Sequence, residues 1–88
     1  MKDEKQYVED LITELRRFFT LKPEEKEEAA NNLNDNWWPE KDSNISKETM
    51  NLLSTLLVLH HYAEDPEGHD KLIWSILSDL EKRKSELK

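Results

Sequence analysis

The chain has no cysteine and a single glycine, Gly68, in 88 residues. The first absence excludes disulfides, thiol nucleophiles and zinc sites built on thiolates. Small secreted domains usually rely on disulfides, so a cytoplasmic location is the expectation. The lone glycine excludes the phosphate-cradling loop, the dinucleotide fingerprint and the nucleophile elbow, each of which needs two or more glycines at fixed spacing. Positive charge is also scarce: 13 Lys and Arg stand against 20 Asp and Glu, a net of −7. Binding nucleic acid or anionic lipid needs a basic patch that displaces counterions. The one basic cluster, Lys82-Arg83-Lys84, lies where cations favour a helix C-terminus in any case. Direct nucleic-acid binding and membrane binding are therefore not expected, and a basic protein surface is the more natural partner. No apolar run is long enough to span a bilayer, and no basic start leads into one as a signal peptide would. Alternating apolar and polar residues, the mark of a half-buried strand, are missing too.

What the chain does have is helical periodicity, centred on Ser46–Ala63. Leu52, Leu53, Leu56, Leu57, Val58, Leu59 and Tyr62 fall there with few polar interruptions. Projected at about 100° per residue, Leu59, Leu52, Leu56, Leu53 and Leu57 share one arc, with Val58 and Tyr62 outside it. A helix apolar on nearly every side is the central helix of a small bundle. A first helix is predicted over 3–19, where Tyr7, Val8, Leu11, Ile12, Leu15, Phe18 and Phe19 form one stripe. A second is predicted over 23–34, opened by Pro23 and four glutamates but thin in apolar content (Ala29, Ala30, Leu33) and rich in asparagine, a poor helix former. Residues 34–45 read as a loop. Ser46 is the N-cap of the third helix, which covers 46–63. Asp65 and Pro66 are the cap and first residue of a fourth, over 66–85. There Leu72, Ile73, Ile76, Leu77 and Leu80 share an arc, and Trp74 lies about 60° off it. Residues 82–88 are mostly charged and read as a frayed tail. The fold class is thus all-α: one domain over 1–88, a small up-down four-helix bundle.

Three groups of residues are candidate sites. His60, His61 and His69 flank a turn holding Glu64, Asp65, Glu67 and Asp70. His60 with Glu64, and His61 with Asp65, have the i, i+4 spacing that can place a nitrogen and a carboxylate on one divalent ion, with His69 or Asp70 completing the set. The plainer reading makes His61 a surface residue, His60 a half-buried one and the carboxylates turn and cap residues. It is the preferred reading, so no metal or other cofactor is expected. The second group is Trp37-Trp38. Two indoles in a loop are costly to leave in water, so one should fold onto the bundle and the other is a candidate partner contact; Trp74 raises the same question. The third is the acidic surface of Glu24–Glu28, Glu64–Asp70 and the outer face of the first helix. It suits a basic partner, although such runs also serve as solvated helix faces. No nucleophile, oxyanion donor or pocket is legible, and the chain is not expected to be an enzyme.

The run Glu64-Asp65-Pro66-Glu67-Gly68-His69-Asp70-Lys71-Leu72-Ile73-Trp74 resembles the loop of the nuclease-colicin immunity proteins, in which Glu-x-Pro-x-Gly-x-Asp is followed by Leu-Ile and an aromatic. The likeness covers about a dozen residues, requires Lys71 as an insertion and ends where that family continues with a proline, an acidic loop and a new helix. It implies a small acidic helical inhibitor. The expected function is accordingly that of a small acidic interaction module, inhibitor-like or immunity-like and of bacterial or phage origin. It would present Trp37, Trp38, Glu64, Asp65, Glu67, Asp70 and Trp74 to a basic protein. The alternative is a structural or regulatory homodimer that buries Val58, Tyr62 and Trp74 against a second copy; a metal-binding helical protein ranks third.

Overall fold

The computed structural model describes residues 3–37 and 45–87. The chain folds as a four-helix bundle: α1 (Glu4–Phe18), α2 (Pro23–Asn36), α3 (Lys47–Leu53) continued by a 3-10 segment (Ser54–Glu64), and α4 (Pro66–Glu86). Local chemistry sets most of these limits. The Asp3 carboxylate caps α1 by accepting from the Gln6 amide at 2.7 Å, and Arg16 and Arg17 sit in its last turn, where cations suit the helix dipole. Pro23 opens α2. The Ser46 hydroxyl caps α3 by accepting from the Thr49 amide. Asp65 caps α4, accepting from the Gly68 amide at 3.1 Å. A Cβ on Gly68 would meet the Asp65 carboxylate, so a larger residue there would oblige the capping side chain to shift. Gly68 therefore works inside the first turn of α4 and not in the preceding turn.

α1 packs on α4, and α2 packs chiefly on the 3-10 segment. The core is one cluster. It takes Val8, Leu11, Ile12, Leu15 and Phe18 from α1, Ala30 and Leu33 from α2, and Ile73, Ile76, Leu77 and Leu80 from α4. The third helical span contributes Leu53, Leu56, Leu59 and Tyr62. Each large side chain so buried contributes about 1.5–3 kcal/mol.

That last set corrects the α-helical projection. Residues 53, 56, 59 and 62 recur every three, and in a 3-10 helix positions i and i+3 eclipse. The stripe is continuous only because the chain tightens after Leu53. Leu57, placed in the core by the projection, is 46% exposed, while Tyr62, placed outside it, is 4% exposed. Side chains support the tighter winding through bonds to carbonyls three residues back: Ser54 Oγ to Asn51 O at 2.7 Å and His60 Nδ1 to Leu57 O, also 2.7 Å. The segment is kinked at His61, whose φ of −97° and ψ of 16° leave the helical region. Leu72 is a second departure: it sits at the margin of the α4 stripe and is 39% exposed.

Two further corrections concern the ends of elements. α2 runs to Asn36 and not to 34. Its asparagines are not merely tolerated, since Asn34 donates from Nδ2 to Leu56 O at 3.1 Å and ties α2 to the 3-10 segment. α4 runs to Glu86, one residue past the predicted 85, so the charged residues from Lys82 on are helical, and Leu87 packs against the core. No described helix is long and apolar enough to cross a membrane.

Candidate functional site

The acidic turn divides into structural and free carboxylates. Asp65 is the α4 cap. Asp70 accepts from the Tyr62 hydroxyl at 2.7 Å and lies 3.5 Å from Lys26 Nζ. Lys26 also sits 5.4 Å from the centre of the Phe18 ring and 5.7 Å from that of Phe19. Asp70, Tyr62, Lys26 and the two phenylalanines thus lock α1, α2, the 3-10 segment and α4 at one end of the bundle. Burial pushes the Tyr62 phenol well above its ordinary value, and the hydrogen bond to Asp70 and the charge of that carboxylate push the same way. Asp70, a third of whose side chain stays exposed, is thus engaged within the chain, and Tyr62 is buried. The first belongs to the fold before any partner surface, and the second is not free to face another copy of the chain. Glu64 is 74% exposed and pairs with His61 Nδ1 at 3.1 Å. Glu67 is exposed.

The histidines are not gathered into a ligand set. The 3-10 winding turns His61 toward Glu64, three residues on, in place of Asp65, four residues on. His60 is exposed and not half-buried as expected; its ring is tilted against that of His61 with centroids 3.8 Å apart, and its Nδ1 is directed to a backbone carbonyl. His69 donates from Nδ1 to Asp65 O at 2.8 Å and leans on Tyr62. Among the described residues no three His, Asp or Glu side chains come together as they would around a metal ion.

The tryptophans take different places. Trp37 is the C-cap of α2 and packs against the core. Its ring meets Tyr7 edge-to-face at 5.8 Å, and its carbonyl accepts the Tyr7 hydroxyl. Burial raises the Tyr7 phenol to about 12. Trp38 lies outside the described residues. Trp74 stands at the seam of α1 and α4, 63% exposed, with its ring edge-to-face on Phe19 at 5.6 Å. Its neighbours along that seam are paired charges, Arg16 with Glu81 and Lys84 with Glu9. On α4, Glu67 lies two helical turns before Trp74 and shares its face.

One polar cluster escaped the sequence reading. The Ser46 amide donates to Glu4 Oε1 at 2.8 Å, and the Ser46 hydroxyl donates to the same oxygen. Arg83 donates from Nε to Thr49 Oγ1 at 3.1 Å and from Nη2 to Ser46 Oγ at 2.9 Å. Its guanidinium lies 3.8 Å from Glu4 Oε2. The start of α1, the start of α3 and the end of α4 are joined there around Thr49, which is fully buried. Burial opposes the charge on Glu4, but hydrogen bonds from the Ser46 side chain and backbone, then Thr49, then the Arg83 charge outweigh it and hold the carboxyl below its ordinary value. Nothing local announces this cluster, because its members are 37 and 42 residues apart in sequence. Arg83 was legible only as a helix-end cation.

Among the described residues the surface thus offers one stationed indole, Trp74, and exposed carboxylates at Glu64, which pairs with His61, and at Glu67. Comparison of the chain with family models, with curated proteins and with solved structures gives no match.

Proposed function

We propose that the chain is a small acidic protein-binding module whose contact surface centres on Trp74 and the Glu67 side of α4, and whose partner is a basic protein. The observation that carries this reading is Trp74 itself. It is the most exposed large apolar side chain described, at 63%, and Phe19 holds its ring from behind at 5.6 Å. A tryptophan kept in water at a fixed orientation loses little entropy on docking, and tryptophan is enriched among residues that dominate binding energy. The net charge of −7 supports a basic partner. An inhibitor-like or immunity-like role belongs to the same proposal. Trp37 and Asp70 serve the fold first, so neither leads the list of contacts.

The test is capture from a lysate of the source cell with wild-type, Trp74→Ala and Glu67→Lys baits. The expected result is a basic protein retained by the wild type and lost from Trp74→Ala, with circular dichroism unchanged. The same proteins on both baits would remove Trp74 from the function. A second reading, self-association, has its own support in Leu57 and Val58, adjacent on the 3-10 segment and 46% and 41% exposed. Light scattering at two concentrations separates the two, since a monomer throughout ends the dimer reading.

A further inference from the structure

α1 and α2 diverge beyond their short connection, because α2 packs mainly on the 3-10 segment. The divergence leaves an open groove of about 260 Å³. Its floor is apolar, with Phe18, Leu21 and Leu33. Its rim carries Glu14, Arg17, Glu25 and Glu28. The rim is short of positive charge. Arg17 already lies 3.9 Å from Glu14. Lys26, the one cation of α2, is turned to Asp70 and the phenylalanine rings. Among the described residues Glu25 accepts only a backbone amide, that of Lys22 at 3.2 Å. Glu28 is exposed and has no ionic partner among the described residues.

From this groove we infer a docking site for an arginine of a partner protein, with its aliphatic stem along the floor and its guanidinium between Glu25 and Glu28. The size favours one long side chain, since pockets for drug-sized ligands start at about 300 Å³. An apolar floor under a charged rim matches a side chain that is apolar along its stem and cationic at its head. Arginine suits the rim better than lysine. Its guanidinium is weakly hydrated and offers a planar fork of donors that can engage two carboxylates. The groove lies at the C-terminal end of α1, the end that also carries Phe19 and Trp74. A basic segment crossing that corner could meet both. This inference rests on the proposed reading that the partner is basic, and it adds where the partner's charge is received.

The experiment is a nitrogen-edited NMR titration of the whole chain with a short synthetic peptide of alternating arginine and leucine. Controls carry lysine or glutamate in place of arginine. The expected result is shifts centred on the amides of Arg17, Leu21 and residues 25–33, weaker with lysine and absent with glutamate. Glu28→Lys should lower the affinity about tenfold, and Glu28→Gln by less, with helicity unchanged. Shifts confined to Trp74 and its neighbours would overturn the groove and leave the module reading standing. No shift anywhere would overturn both. An affinity unmoved by Glu28→Lys would also overturn the groove, whatever the shifts.

Discussion

The period-three stripe of the third helical span makes a sharp prediction, because α-helical and 3-10 winding assign opposite fates to the same two residues. Wound as an α-helix, the segment would bury Leu57 and expose Tyr62; as folded, Leu57 is 46% exposed and Tyr62 is 4% exposed. Tyr62 meets Phe18 edge-to-face at 5.6 Å and donates to Asp70. Truncating it to alanine removes a buried ring and leaves a cavity, at a cost of about 3–5 kcal/mol. Leu57→Ala deletes a side chain already near half in water and should cost less than about 1 kcal/mol. A chain of this length has a total stability of about 4–13 kcal/mol. Tyr62→Ala should therefore lower the melting temperature by more than about 12 °C and Leu57→Ala by less than about 8 °C. Urea unfolding followed by far-ultraviolet circular dichroism supplies the free energies, and an unchanged urea slope confirms that the native state is the one being compared. Should Tyr62→Ala leave no folded protein, Tyr62→Phe gives the milder measurement: the ring stays, the bond to Asp70 goes, and about 1 kcal/mol is lost. A Leu57→Ala cost equal to or above that of Tyr62→Ala would refute the 3-10 assignment and restore the α-helical arc.

Four further predictions concern the polar groups. Arg83→Met should destabilise by about 1–2 kcal/mol in urea unfolding, since Arg83 bridges α3 and α4 from a site only partly open to solvent. Because the Glu4 carboxyl is held below its ordinary value of 4.5, its contribution is present above that value and is lost as pH falls through the depressed one. Glu4→Gln should therefore flatten the acid limb of the stability profile, and an unchanged limb would dismiss the cluster as a source of pH dependence. The tyrosines act at the other extreme: Tyr7 and Tyr62 are both raised above 10.0, so the stability from keeping them neutral is complete below that value and declines as pH rises past it. Phenolate absorbance should accordingly appear late and together with unfolding. Finally, the acidic turn should split under mutation. Glu67→Lys changes stability by less than about 0.5 kcal/mol, whereas Asp70→Lys, which opposes Lys26 and strands the Tyr62 hydroxyl, costs about 1–3 kcal/mol.

The sequence by itself determined how many helices there are and where they begin. Ser46, Asp65 and Pro66 act within three or four residues of where they stand, so their roles are readable without knowing what packs against them. The all-α class follows from the same local information, whereas the offset of Trp74 from the α4 stripe left open whether its ring is covered, and the packing decided it. Other features required the assembled bundle. α-helical and 3-10 winding differ by one residue in the carbonyl each amide reaches, a small local difference that the columns of Leu53, Leu56, Leu59 and Tyr62 resolve only when α2 and α4 press on them. Helix 2 reads as thin because its anchors lie on other elements: Asn34 holds Leu56, Lys26 holds Asp70, and Trp37 rests on Tyr7. Whether a carboxylate faces water or a neighbouring helix is likewise a property of the packing. Glu4 and Asp70 were drawn into contacts between elements while Glu28 and Glu67 stayed at the surface, because a charge is fixed by what lies opposite it in space and not by its neighbours along the chain.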